Sequence, residues 1–245
     1  MIDLSIVIPS LNEPYLDKTV EDIKRHAETD IEVLVGDDAV EKLGQRALTN
    51  KLVREARGKY IMKCDAHVSF SQGFDRHMLE EIDDITILAP LMGVLDPIGW
   101  TINGKKMVSR YGFDTNLIMQ YLPETDDDET PCLQGSAFMM SKENYFKWGV
   151  DDESLGSWGQ QAVQLGILAY LNGGRCRTTK KAYYGHVFRH SDADFPYDRG
   201  PNPGQFANSE MKRRYLNQSI AGLIEKHNYF CDWTPEIVHA LPDVV

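Results

Sequence analysis

The sequence predicts an α/β protein built on a mixed, mostly parallel sheet flanked by helices. Three observations carry that reading. The first third alternates β-rich apolar runs with segments of helical spacing, joined by short connections. Such alternation implies right-handed crossovers and parallel pairing. Each of the first three strand-like runs ends in polar residues: Ser10 and Asn12, then Asp37 and Asp38, then Asp65 and His67. Open α/β sheets bind ligands beyond the carboxyl ends of their strands, so these three clusters are expected along one crevice.

The elements follow in order. The run "LSIVIPS" is a strand and "PYLDKTVEDIKRHA" a helix. "IEVLVGDD" is the second strand, "EKLGQRALTNKLVREARG" the second helix and "KYIMKCDAH" the third strand. "ITILAPLMGVL" is strand-like, and "WTINGKKMVSRYGF" predicts a hairpin turning at Asn103-Gly104. "ETDDDETP" reads as a solvated charged loop, and "CLQGSAFMMSKENYFKWG" as strand then helix. "SWGQQAVQLGILAYLNGG" is a helix closed by Gly173-Gly174. A short strand, "RCRTTKKAYYGHVF", follows, its basic residues guarding an exposed edge or meeting a polyanion. Residues 190–210, rich in Pro, Gly, Asp and Asn, predict a lid, and "SEMKRRYLNQSIAGLIEKH" a closing helix. Residues 1–225 are expected to form one domain, with 226–245 as a tail packed on it.

Composition narrows the function. A chain of 245 residues with 42% hydrophobic and 26% charged residues can bury a substantial core. The net charge of −11 gives no general attraction to nucleic acid or anionic membrane. No apolar run approaches the ~20 residues that span a bilayer, so membrane insertion is not expected. The four cysteines, Cys64, Cys132, Cys176 and Cys231, are scattered and form no C-x-x-C pair, which favours reduced thiols. With no basic leader and apolar block in "MIDLSIVIPSLNE", a cytoplasmic protein is the simplest expectation.

The chemistry is expected at "CDAH" and "GHVFR". Residues two apart on an extended strand point the same way, so Asp65 and His67 can share one ligand. Alone, a D-x-H also describes a solvated carboxylate beside a packing histidine, and His186 alone a satisfied core residue. Brought together, Asp65, His67 and His186 supply one oxygen and two imidazole nitrogens. That set suits Mn2+, or Mg2+, with positions left for phosphate oxygens; ligand type alone leaves zinc open.

In this combination the chain resembles the glycosyltransferases of GT-A fold, and within them the polypeptide N-acetylgalactosaminyltransferases, with the broader family 2-like glycosyltransferases behind. The likeness spans roughly residues 3–220, through "SIVIPSLNE", "VLVGDD", "CDAH", "GFDTNLIMQYLP", "TPCLQGSAFMMSKENYF", "SWGQQAVQLGILAYLNGGR" and "GHVFR". The resemblance implies that Asp65, His67 and His186 bind the metal, and that Asp37 or Asp38 and Arg46 lie near the nucleotide. It further implies that Gln134, Gly135 and Ser136 approach the donor sugar, and that Arg189 reaches the phosphates and stabilises the departing diphosphate. The lid, with Phe195, Tyr197 and Gly200, would close over the donor. Gln161 falls in the sugar and acceptor pocket; Trp158, a further site candidate, and Trp148 are each either core or a sugar-stacking ring.

One departure stands out. Where the resemblance leads to W-G-G-E-N, this chain has Trp158, Gly159, Gln160, Gln161 and Ala162. An amide cannot remove a proton, whereas an inverting transferase needs a carboxylate base. Either Asp151, Asp152 or Glu153 supplies one, or the reaction retains configuration and the donor phosphate takes the proton; retention is the expectation. The function expected is transfer of a hexose or N-acetylhexosamine from a UDP-sugar to an acceptor hydroxyl on a protein Ser or Thr, a glycan, a small molecule or a hydroxylated nucleobase. The alternatives are a non-catalytic sugar-nucleotide or carbohydrate-binding module and a nucleotidyltransferase, although "IPSLNEPYLDK" lacks the glycine-rich, lysine-bearing loop of the latter.

Overall fold

The structure, a computed structural model, describes residues 2–189 and 204–244. Its strands are β1 (Leu4–Ser10), β2 (Ile31–Asp37), β3 (Tyr60–Cys64), β4 (Val68–Phe70), β5 (Thr86–Asp96), β6 (Thr101–Val108), β7 (Tyr111–Phe113), β8 (Met119–Tyr121), β9 (Ala137–Ser141) and β10 (Arg175–His186). One eight-stranded sheet runs in the order β2-β1-β3-β9-β5-β10-β4, with β6 paired to β5; β7 and β8 form a small separate ribbon. The ladders β1–β2, β1–β3 and β5–β10 are parallel and hold most of the paired residues. The remaining ladders are antiparallel, so the sheet is mixed and mostly parallel.

Burial follows the pattern of the sequence. Every residue of β1 and of β9 is buried, as a strand covered on both faces requires. Helices Leu16–His26, Gln45–Glu55, Phe74–Glu81 and Gln161–Leu171 flank the sheet. Ile8, Met62, Leu88 and Met139 centre one apolar cluster, and Val7, Ile61, Phe138 and Leu165 a second. Trp148 lies in the second cluster and is core. Among the described residues, no helix is long and apolar enough to cross a membrane.

Three local expectations are corrected. Asn103-Gly104 does not turn: both residues lie inside β6, where Asn103 pairs with Val94. The chain reverses instead at Asp96, whose carboxylate accepts from the N–H groups of Ile98 at 3.1 Å and Gly99 at 3.0 Å. An Asx turn thus closes the hairpin ahead of the expected Asn-Gly. The strand after Gly174 is 12 residues long rather than short. Its free edge is covered by residues 128–130, which pair through Thr178 N–H to Asp128 O and Thr130 N–H to Cys176 O. The acidic run 125–129 is the loop expected, exposed at 125–127 and tied at its end by Asp128 to Arg177 and Glu129 to Lys226. The closing helix is divided: Gln205–Tyr215, a short 3-10 turn at Gln218–Ile220, and Ala221–Lys226. Phe195, Tyr197 and Gly200, expected in the lid, lie outside the described residues.

Candidate active site

The carboxyl ends of β1, β2 and β3 meet on one side of the sheet, and β10 brings its own end to the same place. Antiparallel pairing sets His186 opposite Val68, and Val187 N–H donates to the His67 carbonyl at 3.1 Å. That register closes the gap of 121 residues between Asp65 and His186. One ligand atom from each of Asp65, His67 and His186 falls within 4.8 Å of the others.

Asp65 and His67 each have a second partner that orients them. His186 Nε2 stands 3.3 Å from Asp65 Oδ2, and His67 Nε2 stands 3.8 Å from the same oxygen. His67 Nδ1 faces Glu13 Oε2 at 3.1 Å. A carboxylate only accepts, so Nδ1 donates to Glu13 and Nε2 is the ring nitrogen turned toward Asp65. The other Asp65 oxygen, Oδ1, takes the buried Lys63 ammonium, which also donates to the Gly135 carbonyl at 2.9 Å. Asp65 therefore offers one oxygen, Oδ2, to a shared ligand. The two imidazole rings lie edge to face, 4.8 Å apart.

The electrostatics keep the set in binding form. Burial alone would raise the Asp65 carboxyl, but Lys63, His186 and His67 outweigh it and hold the group well below the usual carboxylate range. Burial pushes His186 below the ordinary histidine value, against the pull of Asp65. One carboxylate oxygen and two imidazole nitrogens fit a divalent cation such as Mn2+. His186 Nδ1 is buried without a hydrogen-bond partner among the described residues.

Two cavities meet at these residues. The smaller, about 340 Å³, is lined by Ser10, Glu13, Asp38, His67 and Arg189 among others. The larger, about 810 Å³, is lined by Lys63, Gln134, Gly135, Ser136, Gln161 and Lys212 among others. Asp65, His186 and Trp158 border both.

Most of the expected site residues reach these cavities, and some are turned away. Asp37 caps the short helix Asp38–Glu41 through Ala39 N–H at 2.9 Å. Asp38 accepts from Leu43 and Gly44 N–H at 2.8 and 2.9 Å while lining the smaller cavity. Arg46 is turned away from open space. It is 2% exposed and donates to the carbonyls of Gly156 and Gly159, so it fastens the loop that carries Trp158. Gly159 holds a φ of +102° beside Gly204, a place where a side chain would be strained. Ser136 Oγ meets the Tyr184 hydroxyl at 2.6 Å, and Ser136 O accepts from Asp65 N–H at 2.9 Å, tying the 134–136 run to the site. Gln161 lines the larger cavity, and its Nε2 bonds both oxygens of Asp151, at 2.7 and 2.9 Å. Asp151, Asp152 and Glu153 do not line it: Asp151 is buried, Asp152 pairs with Arg214 and Glu153 accepts from Asn50. Glu13, Lys63 and Asp151 as a partner of Gln161 are the participants that sequence reasoning missed. Glu13 had a signal in its place just beyond β1; Lys63 had none, because it occupies a strand position that reads as core.

No family model matches the chain. A crystal structure of GalNAc-T7 with UDP, GalNAc and Mn2+ superposes with a TM-score of 0.76 at 15% identity, over 99% of this chain and 55% of that one. The fold is GT-A. S. aureus TarS 1-349 in complex with UDP-GlcNAc shares it at a TM-score of 0.56 and 16% identity, over 94% of this chain and 73% of that one. In sequence, a putative polypeptide N-acetylgalactosaminyltransferase 13 from Drosophila melanogaster is 29% identical over 178 residues, covering 67% of this chain and 32% of the relative. A probable N-acetylgalactosaminyltransferase 8 from Caenorhabditis elegans is 28% identical over 149 residues, covering 56% and 35%. The chain is thus a GT-A homologue of polypeptide N-acetylgalactosaminyltransferases that spans about a third of the length of the curated relatives it matches. In this GT-A sheet the metal-ligand candidates and both cavities occupy the carboxyl edge, where an α/β sheet binds ligands.

Proposed function

We propose that residues 1–225 are the catalytic domain of a metal-dependent glycosyltransferase, with residues 226–245 packed on it as a tail. The reaction moves a hexose or N-acetylhexosamine from a UDP-sugar to an acceptor hydroxyl, with retention. The observation that carries this reading is the meeting of Asp65, His67 and His186 at the junction of two cavities, one beneath the ends of β1 and β2 and one beside the 134–136 run. In it, those three residues hold Mn2+ or Mg2+. Bound there, the ion would neutralise the diphosphate and help it leave.

The chain's own groups supply the rest. Asp37 and Asp38, at the end of β2, accept hydrogen bonds from the nucleoside. Arg189, on the wall of the smaller cavity, binds phosphate oxygens. Gln134, Gly135 and Ser136 approach the donor sugar, with Gln161 and Trp158 forming the facing wall. Arg46 serves the nucleotide site indirectly, by fixing the Trp158 loop. Retention is supported by the lining of the larger cavity: among the described residues its one carboxylate is Asp65, which is already committed to the metal set. The acceptor proton then passes to the leaving phosphate on the same face.

The relatives' names direct the first acceptor trial to a polypeptide Ser or Thr hydroxyl; a glycan, a small molecule and a hydroxylated nucleobase follow. A cytoplasmic setting belongs to the same reading, supported by four free cysteines, three of them buried. The test is incubation with Mn2+ and a panel of UDP-sugars. The reading expects slow UDP release from one donor without acceptor, accelerated by the correct acceptor. Metal-dependent nucleotide binding with no release from any donor would make the chain a binding module. Pyrophosphate from a nucleoside triphosphate would make it a nucleotidyltransferase.

A further inference from the structure

Gln161 projects into the larger cavity from the first turn of the helix Gln161–Leu171. Its amide is not free to rotate. Nε2 donates to Asp151 Oδ1 at 2.7 Å and Oδ2 at 2.9 Å, and an acceptor-only carboxylate fixes which end of the amide faces it. The carbonyl end must therefore face the other way. It does so over Gly135, where a Cβ would stand 2.9 Å from Gln161 Oε1.

Asp151 is itself buried and hydrogen-bonded. It is 1% exposed, its backbone adopts a φ of +55°, its carbonyl accepts from Asn50 Nδ2 at 3.1 Å and its Oδ2 accepts from the Tyr145 hydroxyl at 3.0 Å. Burial pushes the Asp151 carboxyl above its ordinary value, against the fields of Arg46 and Lys63, whose own hydrogen bonds go to other groups. The carboxylate thus faces groups from three helices and β3, and the Gln161 amide connects it to the cavity.

We propose that Asp151 is a positioning residue that locks the Gln161 amide with Oε1 toward the cavity, making position 161 an obligate hydrogen-bond acceptor for a hydroxyl or acetamido N–H of the donor sugar. The inference rests on the transferase reading for the identity of that ligand, though the locked pair does not. It also accounts for the departure from W-G-G-E-N. A glutamate at position 161 would bring a second carboxylate to where the amide now stands, 2.7 and 2.9 Å from the oxygens of Asp151. Two carboxylates that close in a buried pocket cannot both stay ionised. Gln161 and Asp151 are therefore a matched pair, and neither can change alone.

A double-mutant cycle tests this with Gln161→Glu, Asp151→Asn and the exchanged pair, following donor KM, kcat and melting temperature. Asp151→Asn frees the amide to turn, and donor KM rises about tenfold with kcat changed less. Gln161→Glu lowers the melting temperature and raises KM. In the exchanged protein the amide introduced at position 151 donates to one oxygen of the carboxylate introduced at position 161. The other oxygen of that carboxylate faces the cavity as an acceptor, so KM returns to within about threefold of the native value and the melting temperature recovers. Multiplicative losses in the exchanged protein, or a KM unmoved by Asp151→Asn, overturn the proposal. If the native protein turns over no UDP-sugar, the transferase reading fails by itself. The melting temperatures still decide the pair: recovery in the exchanged protein upholds the lock, and additive loss refutes it.

Discussion

His186 Nε2 lies 3.3 Å from Asp65 Oδ2 because β10 ends against β4, two strands that are distant in sequence and antiparallel in space. This one pairing converts two ordinary motifs into a three-donor cluster. It also places that cluster where two cavities join, so a ligand held by Asp65 and His186 can extend into both.

Glu13 should behave as an outer partner of the cluster. Its bond to His67 Nδ1 fixes the tautomer and ring orientation. Glu13→Gln is expected to weaken Mn2+ affinity about 10- to 100-fold while leaving the fold intact, as loss of such partners usually does. Calorimetric titration with Mn2+, alongside circular dichroism, checks it.

Gly135→Ala should act on the sugar side alone. The new Cβ meets the end of a side chain that Asp151 holds in place, so the clash cannot be relieved by simple rotation. Donor KM is expected to rise at least about tenfold, with a stability loss of about 1 kcal/mol. Unchanged Mn2+ affinity in the same variant would separate the sugar wall from the metal set.

Arg46→Met should destabilise strongly for a residue on a helix face. It removes the donors to the Gly156 and Gly159 carbonyls and a cation acting on buried Asp151. Breaking such a buried polar network costs about 3 kcal/mol. Chemical denaturation measures the loss; a midpoint within error of the native protein would mean that Arg46 is not what fastens the Trp158 loop.

Tyr184→Phe should leave the Ser136 hydroxyl without its partner inside the core. Both residues are buried and their hydroxyls are 2.6 Å apart. The expected cost is about 1–2 kcal/mol, or ~2–8 °C in Tm for a domain of this size.

Much of this arrangement is legible in the residues. β1 and β2 stand where their apolar runs lie, because period and composition are local signals. Asp65, His67 and His186 are recognisable because two short motifs with ligand-bearing side chains each end a strand. What local pattern cannot carry is partner choice. The Asn103-Gly104 dipeptide has strong turn chemistry, yet the Asp96 carboxylate closes the hairpin first and β6 runs on through it. Arg46 is placed near the nucleotide by resemblance, but its carbonyl partners lie 110 and 113 positions away. Lys63 occupies a buried strand position and becomes visible only through its contacts with Asp65 and Gly135.

The proposed chemistry depends on Asp65, His67 and His186 gripping one divalent ion. Titration of Mn2+ followed by electron paramagnetic resonance, with UDP present, tests it directly in the native protein and in His186→Ala. One ion per chain is expected in the native protein, with affinity reduced about 100-fold or more in the variant at an unchanged circular dichroism spectrum. Equal stoichiometry and affinity in the two proteins would contradict it.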